Sequence, residues 1–175
     1  MIRIDLDDVQ AFGERVEFPP ANGYIGIIRN VRNNEEKEYI EMLVDIAEGP
    51  YKDFYRKRYE ATGRWLLRAY CSYKPKALRS FKNFVSSINA SNPGLDFQTD
   101  KNTDELTLIA RRVGMTLREE EYIRRDGEIG TSLKPFLWHS IEAIEKGNFK
   151  IPEKLKVEKI DEAPQNNISL DDIAF

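Results

Sequence analysis

Cationic and aromatic side chains alternate along residues 51–82, which carry ten lysines or arginines, only two carboxylates and eight aromatic residues. Cations bind phosphates and flat rings stack on bases, with each stacked base contributing roughly 1–3 kcal/mol. An unpaired nucleic-acid strand exposes both groups, so the segment is typical of a surface that binds single strands without reading their sequence. The predicted nucleic-acid-binding residues here are Tyr55, Arg56, Lys57, Arg58, Tyr59, Arg64, Trp65, Arg68, Tyr70, Tyr73 and Lys74. The alternative is that some rings are core and many cations are simply solvated surface.

The charge of the chain is strongly segregated. Residues 51–82 have a net charge of +8, whereas residues 1–50 carry −6 and residues 83–175 carry −5. Charges act over a Debye length of roughly 8–10 Å, so a basic segment can bind a polyanion although the whole chain has a net charge of −3. A second basic group supplements the predicted interface: Arg111, Arg112, Arg124 and Arg125.

Enzyme signatures are weak. The sequence has no glycine-rich phosphate loop followed by Lys and Ser or Thr, and Cys71 and His139 are the single residues of their types. The run Glu119–Glu121 places successive carboxylates on opposite faces of a strand, which prevents convergence on one cation. We therefore predict no catalytic residue, no metal site and no cofactor.

The expected localisation rests on two features that the sequence lacks, a membrane-spanning run and a signal peptide. No apolar run approaches the ~20 residues that span a bilayer, and the first ten residues are acidic where a signal peptide is basic. We expect a cytoplasmic protein without a membrane partner.

The hydrophobic pattern predicts strands at residues 24–32, 39–48 and 65–73, a helix at 76–91, a strand at 106–117, and a hairpin turning at residues 125–127. A short helix is expected at 140–146, and Gly26 indicates a bulge in the first strand. Helix placement between the third and fourth strands is the order of the oligonucleotide/oligosaccharide-binding (OB) fold. The predicted fold is mainly β with α: a five-stranded OB-fold barrel over residues 1–157, followed by a flexible acidic tail at 158–175.

The last seven residues read SLDDIAF and follow a polar, proline-containing stretch. An acidic pair followed by an apolar hook suits a basic-rimmed pocket on another protein, so the predicted partner-binding residues are Asp171, Asp172, Ile173 and Phe175. A frayed tail is the alternative. The stretch resembles the acidic C-terminal tip of bacterial single-stranded DNA-binding proteins, although Ala174 stands where that family has proline.

Three further stretches resemble a family of small prophage-encoded proteins of Gram-positive bacteria, proposed to bind single-stranded DNA. They are RAYCSYKPKALRSFKNFVSSINASN (68–92) with Pro93 and Gly94 after it, VGMTLREEEY (113–122) and GNFKIP (147–152). The resemblance implies an OB fold and non-sequence-specific single-stranded DNA binding in phage replication or recombination. The resemblance of the last seven residues to the tip of bacterial single-stranded DNA-binding proteins implies that this tip recruits replication or recombination proteins.

Two other functions remain open. A protein-interaction adaptor would use the same barrel to bind an acidic protein partner, and a recombination nuclease would need a metal or acid–base set that the sequence does not display. A homo-oligomer is compatible with exposed strand edges.

Overall fold

The structure is a computed structural model that describes residues 16–98 and 103–158. Its strands are β1 (Asn22–Asn34), β2 (Tyr39–Ile46), β3 (Arg68–Ser72), β4 (Arg112–Ile123) and β5 (Ile129–His139). They form one antiparallel sheet in the order β3-β2-β1-β4-β5. The helices are α1 (Phe54–Thr62), α2 (Leu78–Ser91) and α3 (Ile141–Glu145). The predicted mainly β class, with five strands and a helix between the third and fourth, is confirmed, whereas closure into a barrel is not shown.

The core lies between one face of this sheet and α2. Alternate residues of β2 such as Met42 and Val44 are fully buried, as the period of two along a strand requires. Phe84 and Ile88 of α2 are buried at helical spacing, and the Phe84 ring lies 5.1 Å from that of Trp138 in β5. Because α2 contacts β3, β4 and β5, it links the two edge strands of the sheet.

The two segments that precede β3 and β4 differ from the predictions. The third strand begins at Arg68 rather than at residue 65. Residues Glu105–Leu108 form a 3₁₀ turn instead of a strand, because the Asp104 carboxylate accepts a hydrogen bond from the backbone N–H of Leu106 at 3.0 Å. A side-chain cap of this kind favours a helical turn over an extended chain.

The bulge predicted at Gly26 lies instead at Arg29, further along β1. The register between β1 and β2 shifts between Ile28 and Asn30, so that Arg29 is the extra residue. A Cβ at Gly26 would lie 3.0 Å from the sulfur of Met115 and 3.2 Å from Val44, so a larger residue there would push these side chains aside by a few tenths of an ångström.

The β4–β5 hairpin is confirmed, with Ile123 opposite Ile129 around the turn. It extends beyond β1, whose pairing with β4 ends at Asn22 and Leu117. Leu155 takes the vacated position beside β4: its N–H donates to the carbonyl of Glu119, and its carbonyl accepts from the N–H of Glu121, both at 2.9 Å.

None of the helices within the described ranges is long and apolar enough to cross a membrane. Residues 1–15 of the predicted domain and the predicted acidic tail beyond residue 158 lie outside the described residues.

Candidate nucleic-acid interface

A groove crosses the face of β1, β2 and β3 that points away from the core, beside the C-terminal end of α1. It consists of two hollows that share Asn30, Leu43 and Arg68, the larger having a volume of about 870 Å³. Its lining residues are Arg29, Asn30, Val31, Arg32, Glu41, Leu43, Tyr59, Gly63, Arg64, Trp65, Leu66 and Arg68. Four arginines and one carboxylate line the groove, so its net charge is +3 in a chain whose total is −3.

Strand register builds the floor. Leu43 of β2 pairs with Asn30 of β1 and with Arg68 of β3, so the three form one row across the sheet. Two residues further along, Glu41 pairs with Arg32 and with Tyr70 in a second row. Because side chains two residues apart on a strand share a face, both rows point into the groove.

Tyr59 and Trp65 form the aromatic wall. Their rings lie 5.8 Å apart and are tilted by 49°. The Trp65 indole N–H donates to the carbonyls of Val44 (3.1 Å) and Leu67 (3.0 Å), which fixes the ring against β2 while part of it stays accessible. Tyr59 and Leu66 are exposed, so the wall presents open apolar surface next to the arginines.

α1, which carries Tyr59, is held to the sheet by a buried carboxylate. Asp45 of β2 accepts backbone hydrogen bonds from Ile46 (2.8 Å), Tyr55 (3.0 Å) and Arg56 (3.0 Å). The first N–H groups of a helix have no intrahelical acceptor, so Asp45 supplies the cap that the local sequence lacks. The C-terminal end of α1 closes at Gly63, whose positive φ of 72° suits glycine.

Arg29, the bulged residue of β1, reaches the start of the same helix. Its guanidinium lies 2.8 Å from the carboxylate of Asp53, which also contacts Arg56 at 3.2 Å. Asp53 itself has a left-handed φ of 59°. The ion pair therefore joins the floor of the groove to the helix that forms its wall.

Glu41 lies at the centre of the floor and is bonded by two arginines. Arg32 Nη2 is 2.6 Å from Oε2, Arg68 Nη1 is 2.7 Å from Oε1, and the Tyr70 hydroxyl donates to Oε1 at 3.3 Å. Burial alone would raise the pKa of this carboxyl, but the hydrogen bonds and charges of Arg68 and Arg32 outweigh it and hold the pKa below its ordinary value.

The groove collects part of the predicted interface and adds residues to it. Tyr59, Arg64, Trp65 and Arg68 line it, and Tyr70 lies beside them in the Glu41 row. Arg29 and Arg32 were missed because they belong to the acidic segment 1–50 and reach Arg68 only through strand pairing. The polar–apolar–polar alternation of Asn30, Val31 and Arg32 is the signal that could have found Arg32, whereas Arg29 is the bulged residue and breaks the alternation.

Two predicted tyrosines do not join the groove. Tyr55 is 2% exposed and packs in the core, so the prediction that it contacts nucleic acid is wrong. Burial also raises the pKa of its phenol. Tyr73 packs against Phe81 with ring centroids 5.8 Å apart, and its hydroxyl donates to Asn33, in a separate hollow next to Glu105.

The remaining cations of the basic segment surround α1 and the start of α2. Arg56 contacts Asp53 and Glu60, whereas Lys57 is exposed on the surface of α1. Arg58 lies 5.8 Å from the ring of Phe18. Lys74 precedes the 3₁₀ turn Pro75–Ala77 that leads into α2.

The second basic group is dispersed. Arg112 forms an ion pair with Glu48 at 2.8 Å, and Arg111 donates to the carbonyl of Thr107 at 3.2 Å. Arg124 and Arg125 lie at the turn of the β4–β5 hairpin, which projects beyond the Asn22 end of β1. The groove rows lie towards the opposite end of β1, so the structure does not bring Arg124 and Arg125 together with Arg68. The backbone of Arg111, in contrast, is hydrogen-bonded to Ile28, next to the groove residue Arg29.

The residues considered for enzyme chemistry are either wholly or partly buried, as Cys71 and His139 are, or held in ion pairs, as Glu120 and Glu121 are. Burial raises the pKa of the Cys71 thiol to about 12, and burial lowers the pKa of His139. Glu120 pairs with Arg118 and Lys134, and Glu121 pairs with Lys154. Among residues 16–98 and 103–158, no group of three or more His, Cys, Asp or Glu side chains could hold a metal ion.

Comparison of the chain with protein-family models and with curated proteins finds no match. The resemblance to prophage-encoded proteins therefore stays a prediction from the sequence.

Proposed function

We propose that this protein binds single-stranded DNA in the groove, without sequence preference, during phage replication or recombination. The observation that carries the proposal is the combination, in one groove, of four arginines with the exposed Tyr59 and the fixed Trp65. Arginine binds phosphate and also stacks on bases, while aromatic rings accept any base because every base has a flat face.

The strand order supports the proposal at the level of fold. In an OB barrel, the second and third strands and the loops beside them form the ligand face. The groove lies on β2 and β3, and the order β3-β2-β1-β4-β5 with α2 after β3 is compatible with such a barrel, since the edge strands β3 and β5 contact each other without a described ladder between them. An OB-type barrel over residues 1–157 therefore belongs to the proposal.

Partner recruitment belongs to the proposal on composition alone. Asp171, Asp172, Ile173 and Phe175 lie outside the described residues, and their predicted role is to bind replication or recombination proteins. Assembly of several copies, which would give one strand more than one groove, is likewise proposed.

The test is a titration of labelled oligothymidine, with the matching duplex alongside, over a salt series. We expect preference for the single strand and a slope of log affinity against log salt of about −0.7 for each phosphate neutralised. Equal affinity for duplex, or no binding at micromolar protein, refutes the proposal. If an acidic peptide binds the groove where DNA does not, the adaptor function replaces it.

A further inference from the structure

Glu41 places a negative charge where the proposed ligand would bring its own. Its side chain is 8% exposed, whereas those of its partners Arg32 and Arg68 are 71% and 46% exposed. The carboxylate is thus fixed beneath two guanidinium groups that remain open to the groove. The three side chains together carry +1 rather than the +2 of the arginines alone.

Carboxylate and phosphate are alternative ligands for the same donors. A guanidinium has five N–H groups in a planar fork that matches either anion. Glu41 takes the shortest contacts of both arginines, at 2.6 and 2.7 Å. A phosphate that enters the groove must therefore share these donors with an anion already in place.

We infer that Glu41 is an internal competitor of phosphate, which weakens the binding of single strands to Arg32 and Arg68. This inference rests on the proposed function of the groove. Because Glu41 is buried, little solvent screens its charge, and its carboxylate cannot leave when a phosphate arrives. Its role is then to keep the affinity of the groove low enough for the strand to be released.

The opposite role, in which Glu41 orients the arginines for phosphate, makes the opposite prediction. An orienting residue improves binding by reducing the rotamer freedom that two arginines lose when a ligand arrives. Its removal would weaken binding. The sign of the change in affinity therefore separates competition from orientation.

The experiment compares the wild-type chain with Glu41→Gln in titrations of labelled oligothymidine between about 50 mM and 1 M salt. Removing the competitor frees one positive charge, so we expect the salt slope to steepen by about 0.7. If the two affinities are equal at about 1 M salt, that difference in slope amounts to about eightfold tighter binding at 50 mM and about threefold at 200 mM. The matched control is Glu142→Gln, which removes the same charge from an exposed pair with Lys146 on α3 and should leave the affinity unchanged.

Unchanged binding by Glu41→Gln, weaker binding, or an equal gain from Glu142→Gln overturns the inference. If Glu41→Gln does not fold, an apolar pair decides. Arg32→Met alone should make the slope shallower by about 0.7, and adding Glu41→Met should restore the wild-type slope. A double variant that binds no better than Arg32→Met refutes competition.

The wild-type titration separates the two proposals. Absence of wild-type binding refutes the proposed function and this inference with it. Wild-type binding with a slope that Glu41→Gln leaves unchanged refutes the inference alone.

Discussion

Replacement of Tyr59 by alanine should weaken the binding of single strands while the protein remains folded. The ring is 48% exposed in the groove and lies 5.8 Å from Trp65. Loss of one stacked base corresponds to about 1–3 kcal/mol, which weakens the dissociation constant by about 5- to 150-fold.

The effect on stability should be modest, because about half of the ring is already exposed in the folded protein. An aromatic pair contributes about 0.5–1.5 kcal/mol beyond the area that it buries, the buried half of the ring contributes about 1 kcal/mol more, and alanine returns a few tenths through its higher helix propensity. We therefore expect the free energy of unfolding to fall by about 1–2 kcal/mol, measured by urea denaturation.

Tyr122→Ala is the matched control, because Tyr122 is 47% exposed but lies on the β4–β5 hairpin, outside the groove. Its dissociation constant should stay within about twofold of wild type, as for a surface substitution outside the site. Fluorescence anisotropy with labelled oligothymidine measures both variants. Equal losses of affinity in the two variants, or none in Tyr59→Ala, would refute the assignment of the groove as a stacking surface.

Two further predictions concern the anchors of the groove. Asp45→Ala should lower the free energy of unfolding, measured by urea denaturation, by about 3 kcal/mol, because the backbone N–H groups of Tyr55 and Arg56 lose their acceptor. The same variant should also bind DNA more weakly, because α1 is displaced. The control Glu48→Ala removes an exposed carboxylate and should change stability by less than about 1 kcal/mol, and equal losses in the two variants would contradict the anchoring role of Asp45. For Glu41, the folded-state pKa lies below its ordinary value of 4.5, so its contribution to stability is complete above that pH and is lost as the pH falls through the folded pKa. Unfolding of wild type and Glu41→Gln from pH 7 to pH 3 should show a shallower acid dependence in the variant, and parallel curves would contradict it.

The elements with regular hydrophobic periodicity could be predicted from the sequence. β2 has apolar residues at every second position from Ile40 to Ile46, and α2 has its apolar stripe at helical spacing, so both appear where the pattern placed them. The hairpin between β4 and β5 follows from its Asp-Gly turn in the same way.

The helix α1 could not be predicted in this way, for a physical reason. Of its nine residues only Tyr55 is buried, so it has no apolar stripe, and the acceptor of its first N–H groups is Asp45, in the preceding strand. Gly63, which ends the helix in a left-handed conformation, is the one local signal.

The sequence predicted which residue types line the groove, but it did not predict which individual residues of those types do so. Residue type singled out Trp65 and Arg68, but it could not separate exposed Tyr59 from buried Tyr55, four positions earlier on the same helix. Arg32 lies only nine residues from its partner Glu41, across the β1–β2 hairpin, but Arg68 joins them through the pairing of β2 with β3, 27 residues from Glu41. Long-range pairing of this kind decides which charges share a surface.

The pairing of Leu155 with β4 has a practical consequence for shortened forms of this chain. Ending the chain before Leu155 would remove one backbone hydrogen bond from each of Glu119 and Glu121. The edge of β4 would then be unpaired and could pair with another molecule. A trimmed version intended for crystallisation should therefore retain residue 158. A label or fused domain joined after residue 158 would then follow a segment that is hydrogen-bonded to β4 through Leu155.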